Sequence, residues 1–325
     1  MNPLVVQRSR GLLRVSGRDP VGMVQGLATA DVEAVSEEQG VYTAFLTPKG
    51  RMVADARIFR APARGPGDGG EGGGGAGTPL LLDTDPTAVE PLHAHLGKFV
   101  PPLFARAEDV TERWAVVGVY GPGASAVARE VAGGLGADAF PEEPAEERVV
   151  PLRAGFAVRT LVSGDDGWDF FVLAGGREAL VDALLGAGGR PGDPEALEAL
   201  RVAAGRPRWG RELTEDVIPL EAGLLDRAIS QAKGCYTGQE VIVRILHRGH
   251  VNRHLRRLEF SGPAPEPGAE LFEPGGDRPR GTVTSAVAND AGAIGLGYVR
   301  REIEPPAEMR LAAPDGDPVR VTALD

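Results

Sequence analysis

Reactive side chains concentrate in one stretch. Lys233-Gly234-Cys235-Tyr236-Thr237-Gly238-Gln239-Glu240 sets a thiol and a phenol between two glycines, and Cys235 is the only cysteine among 325 residues. Glycine takes positive φ or lets backbone approach a ligand closely, and the apolar run Val241-Ile242-Val243 follows at once. The stretch therefore reads as a tight loop feeding a regular element. If that element is a helix, Cys235 stands just before its positive end and beside Lys233, and both features favour a thiolate. The competing reading is a small buried hydrophobe, the ordinary fate of a free cysteine. One cysteine closes no disulfide and cannot alone hold zinc or an iron–sulfur cluster, which take several ligands. No resident metal is expected, and any cluster role is shared or transient.

Two local basic clusters stand out against a net charge of −11. Arg201, Arg206, Arg208 and Arg211 surround Trp209, and Arg244 to Arg257 holds five arginines with His247, His250 and His254. A flat heteroaromatic ligand with an anionic tail suits this mixture. Tyr236 or Trp209 can stack on the ring, arginines such as Arg248 can fork onto carboxylates, and Glu221 or Glu240 can accept from an aminopyrimidine edge. Each residue also has a plainer role: Trp209 as a core aromatic, Glu240 as compensation for a helix dipole, the arginines as solvated charge. The same arginines can meet phosphate, but the overall charge and the lack of paired aromatics argue against RNA as a partner.

These side chains need a scaffold. The chain is long for one core, so two or three domains are expected. No stretch approaches the roughly 20 apolar residues of a membrane span, and the first residues lack a signal-peptide pattern, so the cytoplasm is the expected compartment. Leu12 to Ser16 reads as a strand, and Asp19-Pro20 opens a helix whose apolar face includes Val21, Val24, Leu27 and Ala28. Val41 to Leu46 and Met52 to Phe59 form a hairpin turned by Thr47-Pro48-Lys49-Gly50. A period of two puts Asp55 and Arg57 on one face, so the two are expected to pair. Residues 64–78, almost all Gly and Pro with a few charges, read as a flexible insertion. Helices are expected after Asp85-Pro86 and Gly121-Pro122-Gly123, over 176–187, and from Asp193-Pro194 to Gly205, with strands at Trp114 to Tyr120, Phe156 to Val162 and Trp168 to Leu173. From Leu255 onward short strand-like runs punctuated by Gly and Pro point to a small antiparallel barrel or sandwich.

The octapeptide 233–240 resembles the Lys-Gly-Cys-Tyr-x-Gly-Gln-Glu signature of the YgfZ-type folate-binding proteins, similar in fold to the T-protein (aminomethyltransferase) of the glycine cleavage system. The resemblance extends through Arg201 to Gly210, Pro219 to Leu224 and the turn Gly164 to Asp169. It implies an α+β fold: two interleaved T-protein-like subdomains around a central folate cavity within residues 1–248, then a C-terminal antiparallel β-barrel over 249–325. It further implies tetrahydrofolate as cofactor, a role in assembly or repair of iron–sulfur proteins, and iron–sulfur client proteins as partners. In that setting Cys235 would be the reactive group at the cavity mouth, with Lys233 keeping it ionised, Tyr236 packing a ligand ring and Gln239 fixing orientation.

Two departures bear on the alternatives. In the T-protein the hairpin resembles Gly-Gly-Ile-x-Asp-Asp, an aspartate of which orients or deprotonates the folate amine, and the matching positions here read Ala54-Asp55. The family's Leu-Arg-x-Glu-x-Gly glutamate, which reads the pterin, is matched by Ala203. The second reading is thus a folate-dependent aminomethyltransferase or demethylase using Asp55. A third is a noncatalytic accessory to tRNA modification.

Overall fold

Two adjacent strands at the start of the chain enter different sheets. Strands β1 (Leu4–Arg8) and β2 (Gly11–Gly17) are separated only by Ser9 and Arg10. β2 lies in a five-stranded antiparallel sheet with β3 (Val41–Leu46), β4 (Met52–Arg60), β5 (Leu80–Thr84) and β6 (Ala105–Asp109), in the order β3-β4-β5-β2-β6. β1 instead joins β7 (Trp114–Tyr120), β8 (Val149–Leu152), β9 (Gly155–Arg159), β10 (Gly167–Leu173) and β11 (Arg190–Pro191) in a second sheet ordered β11-β1-β7-β10-β9-β8. The two subdomains are therefore interleaved. The computed structural model describes residues 2–61, 77–142 and 144–324, so the insertion read at 64–78 lies almost wholly outside the described residues.

Alternation along the strands decides what each sheet faces. In β4, Met52, Ala54, Ala56 and Ile58 enter the first core with Leu13, Phe45, Leu82 and Leu92. Phe59 points the other way and meets Phe171 of β10 and Phe156 of β9, the last two rings stacked at 4.7 Å. In β10, Trp168 and Phe170 face the second core, which helices α3 (Ala124–Gly134) and α4 (Arg177–Gly186) cover with Val127, Val131, Leu180 and Leu184. The two sheets thus pack against each other through aromatic rings, and residues in step with those rings face the opposite sheet.

Helix α1 (Pro20–Gln25) starts as expected, with the Asp19 side chain accepting from Gly22 N–H and proline in its first turn. It stops earlier than the apolar spacing suggests, because Thr29 N–H donates to Ala44 C=O and Ala28 bridges to Phe45, which draws this backbone against β3. Helix α2 (Val89–Phe99) covers the first sheet. Helix α5 (Pro194–Ala203) is capped by Asp193 and followed by Gly205 at φ 69°. Short α6 (Leu225–Ala228) and α7 (Gln239–Arg248) lead to the barrel.

Six strands close that barrel: β12 (Arg253–Phe260), β13 (Glu270–Phe272), β14 (Pro279–Asn289), β15 (Gly292–Arg300), β16 (Ala307–Leu311) and β17 (Pro318–Thr322), in the order β12-β15-β14-β13-β16-β17. Closure pairs every edge. Leu255, Leu296 and Tyr298 join the first core, and buried Glu212 accepts from Arg201 at 2.9 Å, Ser285 at 2.6 Å and Thr284 at 2.8 Å. Among the described residues no helix is long and apolar enough to cross a membrane.

Candidate functional site between the two sheets

The cavity is lined by residues of both sheets. It has a volume of about 210 Å³, and its wall includes Tyr42, Asp55 and Arg57 from the β3–β4 hairpin, Arg8 and Arg10 from the crossing segment, and Trp209. Strand alternation places Asp55 and Arg57 here, in step with Phe59 and opposite the core-facing Ala54.

Asp55 and Arg57 share this face without pairing, which corrects the expected ion pair. Asp55 Oδ2 accepts from the Tyr42 hydroxyl at 2.8 Å, and Oδ1 is buried without a hydrogen-bond partner. Burial raises the Asp55 carboxyl above its ordinary range, and the Tyr42 hydrogen bond offsets part of that. Arg57 is occupied elsewhere: Nε donates to Asp83 Oδ2 at 2.6 Å and Nη2 lies 2.8 Å from Asp169 Oδ2. Arg10 Nε donates to the other Asp83 oxygen at 2.7 Å, and Arg8 Nη1 to Asp169 Oδ2 at 2.9 Å. A chain of charges, Arg10–Asp83–Arg57–Asp169–Arg8, joins one sheet to the other. Burial alone would raise Asp169, but Arg8 and then Arg57 outweigh it and hold the carboxyl at about 2.

A second pair completes the wall. The Arg227 guanidinium sits 4.0 Å from the Tyr42 ring centroid and grips Glu146 through Nε at 3.0 Å and Nη2 at 2.7 Å. Arg206, also on the cavity wall, has no side-chain hydrogen bond or ion pair among the described residues. Burial, with Arg227 nearby, lowers its pKa. The arrangement offers a ligand one carboxylate oxygen that accepts and one arginine with donors to spare.

The other sequence-derived candidates lie elsewhere. Tyr236 is buried in the first core, and burial pushes its hydroxyl up to about 12. It stands away from the cavity wall, so it does not pack a ring there. Glu221 accepts from Ile218 N–H and Arg253, both at 3.3 Å, and Gln239 and Arg248 are the first and last residues of α7, none of them on the wall. Cys235 is exposed rather than at the cavity mouth. Lys233 is not free to hold a thiolate: Nζ donates to the carbonyls of Gln25, Ala28 and Ala30 at 2.7–2.8 Å and to Gln25 Oε1. Burial lowers its pKa to about 8.

What the octapeptide builds is a brace. Gly238 takes φ 84° at the start of α7, and a Cβ there would meet Thr47 C=O at 2.6 Å. A Cβ on Gly50 would strike Val241 at 2.8 Å. Thr237 N–H donates to Gly26 C=O, and Glu240 sits in the first turn of α7, where a carboxylate suits the dipole. Gly234 has open space around it. The motif thus supports α1 and the tip of the hairpin that carries Tyr42, Asp55 and Arg57. Sequence reasoning missed Tyr42, Arg8, Arg10 and Arg227. The one available signal was the isolated Arg-Ser-Arg between two apolar runs.

Comparison with known proteins agrees with this architecture. Residues 83–233 match the GCVT N-terminal domain model. A putative chloroplastic transferase of Arabidopsis thaliana is 29% identical over 90% of the chain, which spans 64% of that protein's length. An aminomethyltransferase of Rubrobacter xylanophilus is 29% identical over 90% of the chain and 75% of its own length. A mitochondrial iron–sulfur cluster assembly factor homologue of Mycosarcoma maydis is 26% identical over 81% of the chain and 59% of its own length. The crystal structure of the glycine cleavage aminomethyltransferase T of Bartonella henselae superposes with a TM-score of 0.82 at 21% identity, covering 99% of this chain and 86% of that one. The chain has the fold of the glycine cleavage T-protein, with a C-terminal antiparallel barrel.

Proposed function

We propose that the chain binds tetrahydrofolate between its two sheets and serves the assembly or repair of iron–sulfur proteins. The observation that carries the folate half is Asp55, buried on the cavity wall with Oδ1 unpartnered while Tyr42 holds the other oxygen. A buried acceptor without a donor costs about 1–3 kcal/mol unless a ligand supplies one, and a pterin carries N–H groups for that role. The cavity is smaller than the roughly 300–1,000 Å³ of sites for whole drug-sized molecules. It suits a ring system, with the anionic tail left to the arginine wall and Arg206. When bound, tetrahydrofolate supplies amines that carry a one-carbon unit. The chain's own residues orient it, through Asp55 and Tyr42, and shield it from water. The iron–sulfur half rests on the assembly-factor relative.

The transferase is the second reading, and one observation favours it. Ala54 faces the first core, fully buried, while Asp55 faces the cavity. The carboxylate lost from the Asp-Asp pair would point into apolar packing, so Ala54 removes nothing from the site. Ala203 is exposed at the end of α5 and does not line the cavity.

Calorimetric titration with tetrahydrofolate tests the proposal. Asp55→Asn should weaken binding roughly 10- to 100-fold, as about 1.5–3 kcal/mol implies for a hydrogen bond to a charged group. Arg206→Ala should weaken it, and Arg248→Ala should leave it unchanged. No binding by the wild type sinks the folate reading. Methylene-tetrahydrofolate formed from an aminomethyl donor would move the assignment to the transferase, whereas restored iron–sulfur enzyme activity in cells lacking the protein would support the assembly role.

A further inference from the structure

Strand β6 lies at an edge of the first sheet and pairs with β2 alone among the described residues. Just past it, Val110 N–H donates to Leu12 C=O at 2.9 Å in the same register. Antiparallel pairs alternate between bonded and unbonded, so Arg106 and Glu108 spend their backbone groups on Ser16 and Arg14, while Ala105, Ala107 and Asp109 turn theirs outward. Ala105 N–H donates to Pro101 C=O, and His93 Nε2 lies 3.1 Å from the Ala107 oxygen, which keeps a second lone pair. The N–H groups of Ala107 and Asp109 and the C=O of Ala105 face out with no backbone partner among the described residues. Arg106 and Glu108 are exposed; Glu108 pairs with Arg113, and Arg106 has no ion pair or side-chain hydrogen bond among the described residues. Beyond one end of the strand Leu103 stands 77% exposed. Beyond the other is an open hollow of about 610 Å³, lined by Pro86, Val89 and Val110 and by charged residues, Glu90, Glu112 and Arg113 among them.

We propose that β6 pairs with β6 of a second copy of this chain about a two-fold axis at Ala107. Such an axis sets each residue opposite the one equally far from Ala107 on the other copy. Ala107 then exchanges N–H and C=O with Ala107, Asp109 N–H reaches Ala105 C=O, and Arg106 stands opposite Glu108 twice over. Charges on an edge strand ordinarily keep other strands away. The order Arg106-Ala107-Glu108 instead selects its partner, because an antiparallel copy meets it with opposite charges and a parallel copy in register meets it with like ones. The same axis brings Leu103 of each copy beside Thr111 of the other, a residue that lines the hollow. Leu103 lies in the link from α2 to β6, and Pro86 and Val89 of the hollow lie at the start of α2, so both belong to the helix side of the sheet. A protruding apolar residue and a recess at equal distances from the axis are what a self-complementary interface requires. Burying Leu103 in both copies adds apolar area to what a five-residue strand pair supplies. The proposal is independent of the folate reading, since β6 does not line the cavity between the sheets.

Sedimentation equilibrium of the full chain, from low to high micromolar concentration, should show a monomer–dimer equilibrium. Over the same range the Ala107 and Asp109 amides should slow their hydrogen exchange about tenfold or more. Arg106→Glu sets like charges opposite one another twice and should weaken the dimer about tenfold or more, whereas Arg106→Glu/Glu108→Arg exchanges the two charges and should restore it. Leu103→Asp should weaken it by at least as much. A circular-dichroism melt equal to the wild type at low concentration shows that each variant is folded. A chain that is monomeric at every concentration overturns the proposal and leaves the edge to a strand of a different protein. A dimer that survives both Arg106→Glu and Leu103→Asp overturns it in favour of another surface, and a charge exchange that stays monomeric overturns the pairing of Arg106 with Glu108.

Discussion

Arg57 of β4 and Asp169 of β10 belong to different sheets, and their 2.8 Å contact is the link at which the charge chain crosses from one sheet to the other. Both are buried, and each has a further partner, Asp83 for Arg57 and Arg8 for Asp169. Removing one charge from such a set leaves the others uncompensated in a low-dielectric interior. Asp169→Asn should therefore lower unfolding free energy by about 3–5 kcal/mol, measured by denaturant titration. A double variant that also removes Arg57 should lose less than the sum of the single changes.

The pH dependence of stability has two opposing parts. Asp169 is held at about 2 against an ordinary 3.8, so its contribution is present above 3.8 and is lost as pH falls through 2. Glu147, buried and without a hydrogen-bond partner for either oxygen, is pushed up to about 8 from 4.5 by burial, which Arg57 offsets in part. Its contribution is complete below 4.5 and is lost as pH rises through 8. Unfolding free energy should accordingly decline between those two values, and Glu147→Gln should flatten the decline. An unchanged slope in that variant would show that Glu147 titrates normally.

Lys233 ties the octapeptide to the end of α1 through three backbone carbonyls. Lys233→Met should cost about 2–3 kcal/mol, the scale of hydrogen bonds to a charged group. Arginine should restore little of it, since a planar fork does not fit a cage shaped around an ammonium. Chemical denaturation of the three proteins decides this.

Glu212 holds the barrel. Its carboxylate accepts from Arg201, the Arg208 N–H, Thr284 and Ser285, and its carbonyl from Tyr298. Glu212→Ala should cost about 3–5 kcal/mol and should open the connection before β12 to limited proteolysis, releasing a barrel-sized fragment. Resistance equal to the wild type would show that apolar packing by Leu255 and Leu296 suffices.

Much of this architecture was legible in the sequence where local rules apply. The β3–β4 hairpin follows from alternation and Thr47-Pro48-Lys49-Gly50, and the starts of α1 and α5, with the short turn Pro86–Ala88 that leads into α2, follow from aspartate-proline caps. The site was less legible, because alternation tells which face Asp55 and Arg57 share but not what arrives opposite. Asp83 and Asp169 come from distant strands, so the Arg57 partnership is tertiary information. Short β1 and two-residue β11 carry too little pattern to register. The octapeptide was read correctly as a loop entering a regular element. Its Gly238 answers to close backbone approach at Thr47, and a single sequence does not distinguish that need from contact with a ligand.

The crossing at Ser9 and Arg10 also sets an order of events during synthesis. Residues of the first sheet, up to β6, can pair as soon as they emerge, whereas β1 must wait for β7, its antiparallel neighbour in the register Val5 to Val119. At translation rates of about 5–20 residues per second that wait is roughly 5–20 s. Throughout it Leu4, Val5 and Val6 present an apolar, unpaired strand beside an already folding neighbour. The newborn chain therefore carries a vulnerable unpaired strand, and a chaperone that shields it until Trp114–Tyr120 is made would raise the yield of folded protein without touching the finished structure.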